Sequence, residues 1–275
     1  MTAFKVACVQ LNSGNDMNAN LQAAEAAIRG AAAGGAQLIT LPEYAALLDG
    51  SGRVMRENSY PEDVHPALSR LRALALETRT WMLIGSLTIK VDNERMVNRS
   101  YLLSDAGEIT ARYDKIHMFD VTLPSGKVIR ESSAYQPGAQ AVVASTPWGP
   151  LGMTICYDLR FPRLYRALAK AGALFLAVPA SFQRETGVGH WHALLRARAI
   201  ENLSYVFAPA MCGDHPGNRM TYGHSLIIDP WGKIISELGT EPGVAIADIN
   251  VDEVLRVRRM LPSLEHDRDL VAPAV

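Results

Sequence analysis

The chain has 275 residues, 48% of them hydrophobic, and its 27 basic and 28 acidic side chains leave a net charge of -1. That balance gives no electrostatic basis for binding nucleic acid or an anionic membrane, and the densest basic stretch, Arg256-Val257-Arg258-Arg259, reads as the solvated face of a C-terminal helix. Cys8, Cys156 and Cys212 are too few and too far apart for a disulfide framework, no segment approaches membrane-spanning length, and Met1–Leu11 is too short and interrupted for a secretory core, so a cytoplasmic protein is expected.

Strand-like and helix-like segments alternate from the start. Residues 5–11 read as a strand, 18–33 as a helix ended by Gly34-Gly35, and 36–41 as a strand stopped by Pro42. Residues 66–78 carry Leu68, Leu71, Leu74 and Ala75 at helical spacing, and a strand over 81–90 follows. Hairpins are expected over 98–103 with 108–113, and over 141–146 with 151–156. Beyond these come a proline-opened helix from Phe161, a strand over 174–178, a helix over 191–202, and strands over 204–209, 223–229, 233–238 and 244–249. With no linker and no low-complexity stretch, one domain over 1–275 is expected. So many strands with few helices point to two sheets packed face to face with helices outside.

Three reactive side chains stand at the ends of predicted strands. Glu43 follows Leu41-Pro42, Lys115 follows Tyr113-Asp114, and Cys156 follows Thr154-Ile155. Sheet ends are where α/β architectures build their sites, and a thiol on a strand-to-helix turn lies beside free backbone N–H groups. Taken singly, Cys156 reads as a small buried hydrophobe, and Glu43 and Lys115 as ordinary surface.

Together, Leu41-Pro42-Glu43-Tyr44, Tyr113-Asp114-Lys115-Ile116-His117 and Ile155-Cys156-Tyr157-Asp158-Leu159-Arg160-Phe161-Pro162 closely resemble the three signature blocks of the nitrilase superfamily of carbon–nitrogen hydrolases. The resemblance implies an α/β fold, a single-domain four-layer α-β-β-α sandwich, that works as a homodimer with a tail from about residue 250 in the dimer contact. It implies a Glu43-Lys115-Cys156 triad: Glu43 as general base, Cys156 as nucleophile on a carboxamide, and Lys115 with the Tyr157 N–H as oxyanion partners. A thioester forms as ammonia leaves, and water then releases the acid. Glu131 matches a second glutamate of the family site, and no metal or organic cofactor is needed.

Other readings of these residues fit less well. A thiol protease would leave Glu43 and Lys115 without roles. A metal site from His190, His192, Cys212 and His215 lacks a close ligand pair, with Trp191 packing under the site and His215 exposed. A non-catalytic binding protein on the same fold would be signalled by loss of a triad residue, and none is lost. The sequence is similar to the branch holding ω-amidase and deaminated-glutathione amidase, which makes a small 2-oxo acid amide the expected substrate, ahead of nitriles and N-carbamoyl amino acids. Tyr44, Tyr157, Phe182 and Thr186 are candidates for the pocket wall. Arg160, Arg184 and Arg219 are candidates for a substrate carboxylate, with Arg160 carried by the matched block and Asp158 as its alternative partner.

Overall fold

The computed structural model describes residues 3–268 and Val271. In the strand Ala3–Gln10, Phe4, Val6 and Cys8 face one way and Ala7 and Val9 the other, and all five are buried. A strand apolar on both faces must lie inside a stack of layers. It pairs in parallel with Leu38–Thr40, which pairs in parallel with Trp81–Lys90. Antiparallel Gly243–Asn250 closes one edge of this six-stranded sheet, and Met96–Leu103 with Ile109–Asp114 the other.

The second six-stranded sheet repeats the plan. Parallel Leu151–Met153, Phe175–Ala177 and Tyr205–Ala208 lie between antiparallel Val142–Ala144 and the pair Leu226–Ile228 and Ile234–Glu237. The sheets meet through side chains such as Phe4, whose ring stacks on Trp148 at 4.4 Å and meets Phe175 edge-on at 5.4 Å. Leu21 and Ile28 of the helix Met17–Ala33, with Leu68 and Leu71 of Pro66–Thr78, cover the outside of the first sheet. Leu164 and Leu168 of Pro162–Lys170, with Trp191 and Leu195 of Arg184–Asn202, cover the second. The result is the expected four-layer α-β-β-α sandwich.

Two differences from the sequence reading bear on the site. The helix Arg184–Asn202 begins seven residues before Trp191, because Gly187 and Gly189 resemble a loop. Gly187 is there for a different reason: any Cβ would collide with the Tyr222 ring, so only glycine lets this helix lie against the strand Arg219–Tyr222. Two polar ribbons, Asp120–Thr122 with Val128–Arg130 and Cys212–His215 with Arg219–Tyr222, were also unforeseen, since neither shows an apolar period. Among the three arginines of the basic segment, Arg258 departs from the solvated face. It turns inward to donate to the Ala173 carbonyl at 2.6 Å and Ser204 Oγ at 2.9 Å.

Candidate active site

Parallel strands in register end on one side, so the segments leaving Leu38–Thr40, Leu151–Met153 and Phe175–Ala177 converge. Gly85 has no side chain because Leu41 and Pro42 carbonyls occupy the place its Cβ would take, which lets the Glu43 segment cross close over strand Trp81–Lys90. The turn after Leu151–Met153 places Cys156 at φ +47°, and Tyr44 beside Glu43 is at φ +60°. Left-handed backbone costs a non-glycine residue about 1–2 kcal/mol and is held only by its surroundings. Here Cys156 N–H donates to Pro179 O at 2.9 Å, and Tyr44 N–H to Ser86 Oγ at 2.9 Å.

The charges form one network. Lys115 Nζ lies 3.0 Å from Glu43 Oε1 and 2.9 Å from both oxygens of Glu131. Asn98 Nδ2 donates to Glu43 Oε1 at 2.8 Å, and Ser181 donates to Glu43 Oε2 from its N–H at 2.9 Å and its hydroxyl at 2.8 Å. Glu131 accepts from Tyr44 OH at 3.1 Å and Phe119 N–H at 2.6 Å. Burial alone would raise Glu43, but Lys115, then Arg219 and the Ser181 bonds, hold its carboxyl down to about 2. Burial likewise opposes the Lys115 charge, and Glu131 and Glu43 overcome it and raise the ammonium.

The thiol is set the other way. Burial first, and the Glu43 charge second, push Cys156 well above its ordinary value against the pull of Lys115. At rest the site therefore holds a neutral thiol beside an ionised carboxylate and an ammonium. Among the described residues the Tyr157 N–H finds no acceptor, so it is free for a ligand.

Glu43, Lys115, Glu131 and Cys156 line one cavity of about 240 Å³, together with Tyr44, Tyr157, Phe182 and Thr186. Arg160 is outside that wall. Its guanidinium lies 5.9 Å from the Tyr157 ring centre and 5.3 Å from that of Phe182, and its Nη2 meets His190 Nδ1 at 3.2 Å rather than Asp158. Arg184 pairs with Asp214 at 2.6 Å, whereas Arg219 lines the cavity.

A carbon-nitrogen hydrolase family model matches residues 5–259. The chain belongs to that family. A deaminated glutathione amidase of Synechocystis sp. is 41% identical over 271 residues, spanning 97% of this chain and 98% of its own. Among solved structures, the C. elegans NitFhit protein is 33% identical with a TM-score of 0.90, and this chain covers 65% of its length, less than two thirds. A variant of the amidase from Nesterenkonia sp. AN1, with acrylamide added at its active site cysteine, is 29% identical with a TM-score of 0.80 over 94% of this chain and 98% of that one. This carbon-nitrogen hydrolase is thus an amidase acting through a cysteine nucleophile.

Asp158, expected only as a partner of Arg160, is instead the residue that ties the site of the hydrolase together. Fully buried Asp158 accepts from Tyr113 OH at 2.6 Å, Ile155 N–H at 2.9 Å and His117 N–H at 3.1 Å, and meets His117 Nδ1 at 2.7 Å. It staples the Cys156 turn to the segment bearing Lys115. Its signal was an acid two residues after the thiol, inside an otherwise apolar block. Asp158→Ala leaves several buried donors unpaired and is expected to cost about 3 kcal/mol in denaturant unfolding, with kcat falling at least about tenfold. Stability within about 1 kcal/mol of wild type would contradict that role.

The histidines take separate places in the hydrolase. His192 Nε2 and His224 Nδ1 share Glu237 Oε1 at 2.7 and 3.1 Å, away from the cavity wall. His215, expected at the surface, is buried with Nδ1 on Ser13 O at 2.8 Å and Nε2 on Thr221 Oγ1 at 2.7 Å. Trp191 is buried against Phe182 as expected.

Proposed function

We propose that the hydrolase cleaves the ω-amide of a 2-oxo dicarboxylic acid, with deaminated glutathione first and α-ketoglutaramate second, and that Glu43, Lys115, Glu131 and Cys156 are its catalytic residues. The observation that carries the mechanism is Lys115 Nζ held between Glu43 and Glu131 on the wall that also bears Cys156. The substrate class is supported by likeness, over nearly the whole chain, to enzymes named for deaminated glutathione.

Glu43 takes the thiol proton as Cys156 Sγ attacks the amide carbon. In the resting site that transfer is uphill, so thiolate does not accumulate. It becomes favourable as negative charge passes to the amide oxygen, beside the Lys115 ammonium and the Tyr157 N–H. Lys115 stays protonated throughout, and Glu131 fixes its position. Glu43 then returns the proton to the leaving nitrogen. Ammonia departs from α-ketoglutaramate, and the amine of the cysteinylglycine half from deaminated glutathione. Water, deprotonated by Glu43, attacks the thioester, and the acid leaves as Cys156 regains its proton. Every step is a proton transfer or an addition and elimination at one carbon, with water as the only co-substrate.

The test is a panel of 2-oxo γ-amides, nitriles and N-carbamoyl amino acids. The γ-amides are expected to lead in kcat/KM by about 100-fold or more, because a site that bonds a polar substrate group rejects analogues lacking it. If nitriles or carbamoyl compounds lead, or if no γ-amide in the panel is cleaved, the substrate assignment fails.

We also propose a cytoplasmic homodimer in which the segment from about residue 250 takes part in the contact. Val188 and Ile200 on the helix Arg184–Asn202, Leu255 and Met260 on Val251–Met260, and Trp231 support it, as large apolar side chains left exposed. Sedimentation at micromolar concentration is expected to give a dimer, and a monomer there would contradict the proposal.

A further inference from the structure

Four cationic side chains line the cavity: Lys115, Lys127, Arg130 and Arg219. Lys115 is held by two carboxylates. Lys127 and Arg130 are exposed, and rest on the carbonyls of Asn218 at 2.8 Å and of Val121 and Ile129 at 3.2 and 3.0 Å. Arg219 differs from all three. It is only partly exposed, no carboxylate among the described residues lies within ion-pair distance of it, and the nearby acid Asp214 is engaged by Arg184. Its Nε is buried without an acceptor, and its guanidinium packs on the Tyr44 ring at 5.6 Å from the centre.

An unpaired guanidinium taken partly out of water is costly, and the cost is offset when a bound anion completes its bonds. Arg219 also stands at a definite reach from the reacting centre. Its Nη2 donates to Ser181 Oγ, which in turn donates to Glu43 Oε2 at 2.8 Å, so two hydrogen bonds in series separate it from the base. In the ω-amide of a five-carbon 2-oxo dicarboxylate, four bonds join the amide carbon to the free carboxylate carbon, about 5 Å when extended. Two serial hydrogen bonds span a similar length.

We propose that Arg219 is the specificity-determining residue of the site: its guanidinium receives the free carboxylate of the 2-oxo acyl half while the amide carbon meets Cys156. This rests on the reading that the hydrolase acts on such ω-amides. Deaminated glutathione and α-ketoglutaramate share that acyl half, so both engage Arg219 in the same way, and discrimination between them is left to the leaving-group side. Arg160, outside the cavity wall and hydrogen-bonded to His190, is not the carboxylate partner.

The test compares α-ketoglutaramate with 4-oxopentanamide, which replaces the carboxylate by a methyl group. Arg219 also touches Ser181, so both rates are expected to fall in Arg219→Gln; the readout is their ratio. The kcat/KM preference for the charged amide is expected to drop about 30-fold or more, mainly through KM, which is the range lost with a charge-assisted hydrogen bond. Arg219→Lys, which keeps the charge, is expected to recover part of the ratio, and to bind the product 2-oxoglutarate at least tenfold more weakly than wild type by titration calorimetry. An unchanged ratio with both rates reduced together would overturn the proposal and leave Arg219 acting only through Ser181 on Glu43. Should the wild-type enzyme itself cleave the two amides equally well, it is the ω-amide reading of the function that fails.

Discussion

Replacing Cys156 with alanine is expected to lower kcat for amide hydrolysis by about 10⁴-fold or more while the protein still folds. The loss is large because the substitution removes the atom proposed to form the thioester, and neither Glu43 nor Lys115 can take its place. Glu43 is an ionised carboxylate spent on Lys115, Asn98 and Ser181, and Lys115 is an ammonium with no free electron pair. The fold persists because the turn at φ +47° is held by the Cys156 N–H bond to Pro179 O and by Asp158, which alanine leaves in place. The other thiols supply the control. Cys8 is pushed up to about 12, mainly by burial, within the core between the sheets, and Cys212 to about 11 on the ribbon Cys212–His215. Cys212→Ala should keep most of the turnover; if instead it loses activity as Cys156→Ala does, the nucleophile has been misassigned.

Lys115→Met is the second large effect, and it reaches stability as well as rate. Lys115 is 2% exposed and lies between two carboxylates; methionine fills its volume but leaves Glu43 and Glu131 facing each other with no positive charge between them. Removing one partner from a buried charge set costs about 3–5 kcal/mol, and losing an oxyanion partner at least about 10²-fold in kcat. The pH dependence follows from Glu43. Its folded value lies below the unfolded one near 4.5, so its contribution to stability is fully present above that pH and is lost as pH falls through about 2. Without Lys115 the burial effect is less opposed, the folded value rises, and acid unfolding moves to higher pH. Denaturant melts at pH 7 with a circular-dichroism acid titration check both parts. A variant as stable as wild type, with the same acid midpoint, would show that Lys115 does not bridge the two acids.

The sequence made Glu43, Lys115 and Cys156 legible because each stands near the end of a strand-like segment, and because their flanks form ordered blocks. The layered sandwich was legible from the many strands set against few helices and from the resemblance those blocks carry. Asp158, Asn98 and Ser181 were not, because their meaning lies in partners 41 to 138 positions away, a distance no local period records. Arg160, Arg184 and Arg219 look alike as side chains in a chain of letters. What separates them is tertiary: the first lies outside the cavity wall against His190, Asp214 occupies the second, and an unforeseen polar ribbon presents the third to the cavity.

The central claim is a covalent acyl group on Cys156. Wild-type enzyme turning over α-ketoglutaramate, quenched in acid and digested, should yield the Cys156 peptide heavier by the five-carbon 2-oxo acyl group, with the Cys8 and Cys212 peptides unmodified. Acid quenching suits this measurement because it stops the Glu43-dependent attack of water on the thioester. Finding the acyl group on another residue, or product accumulating while Cys156 never carries it, would contradict the account.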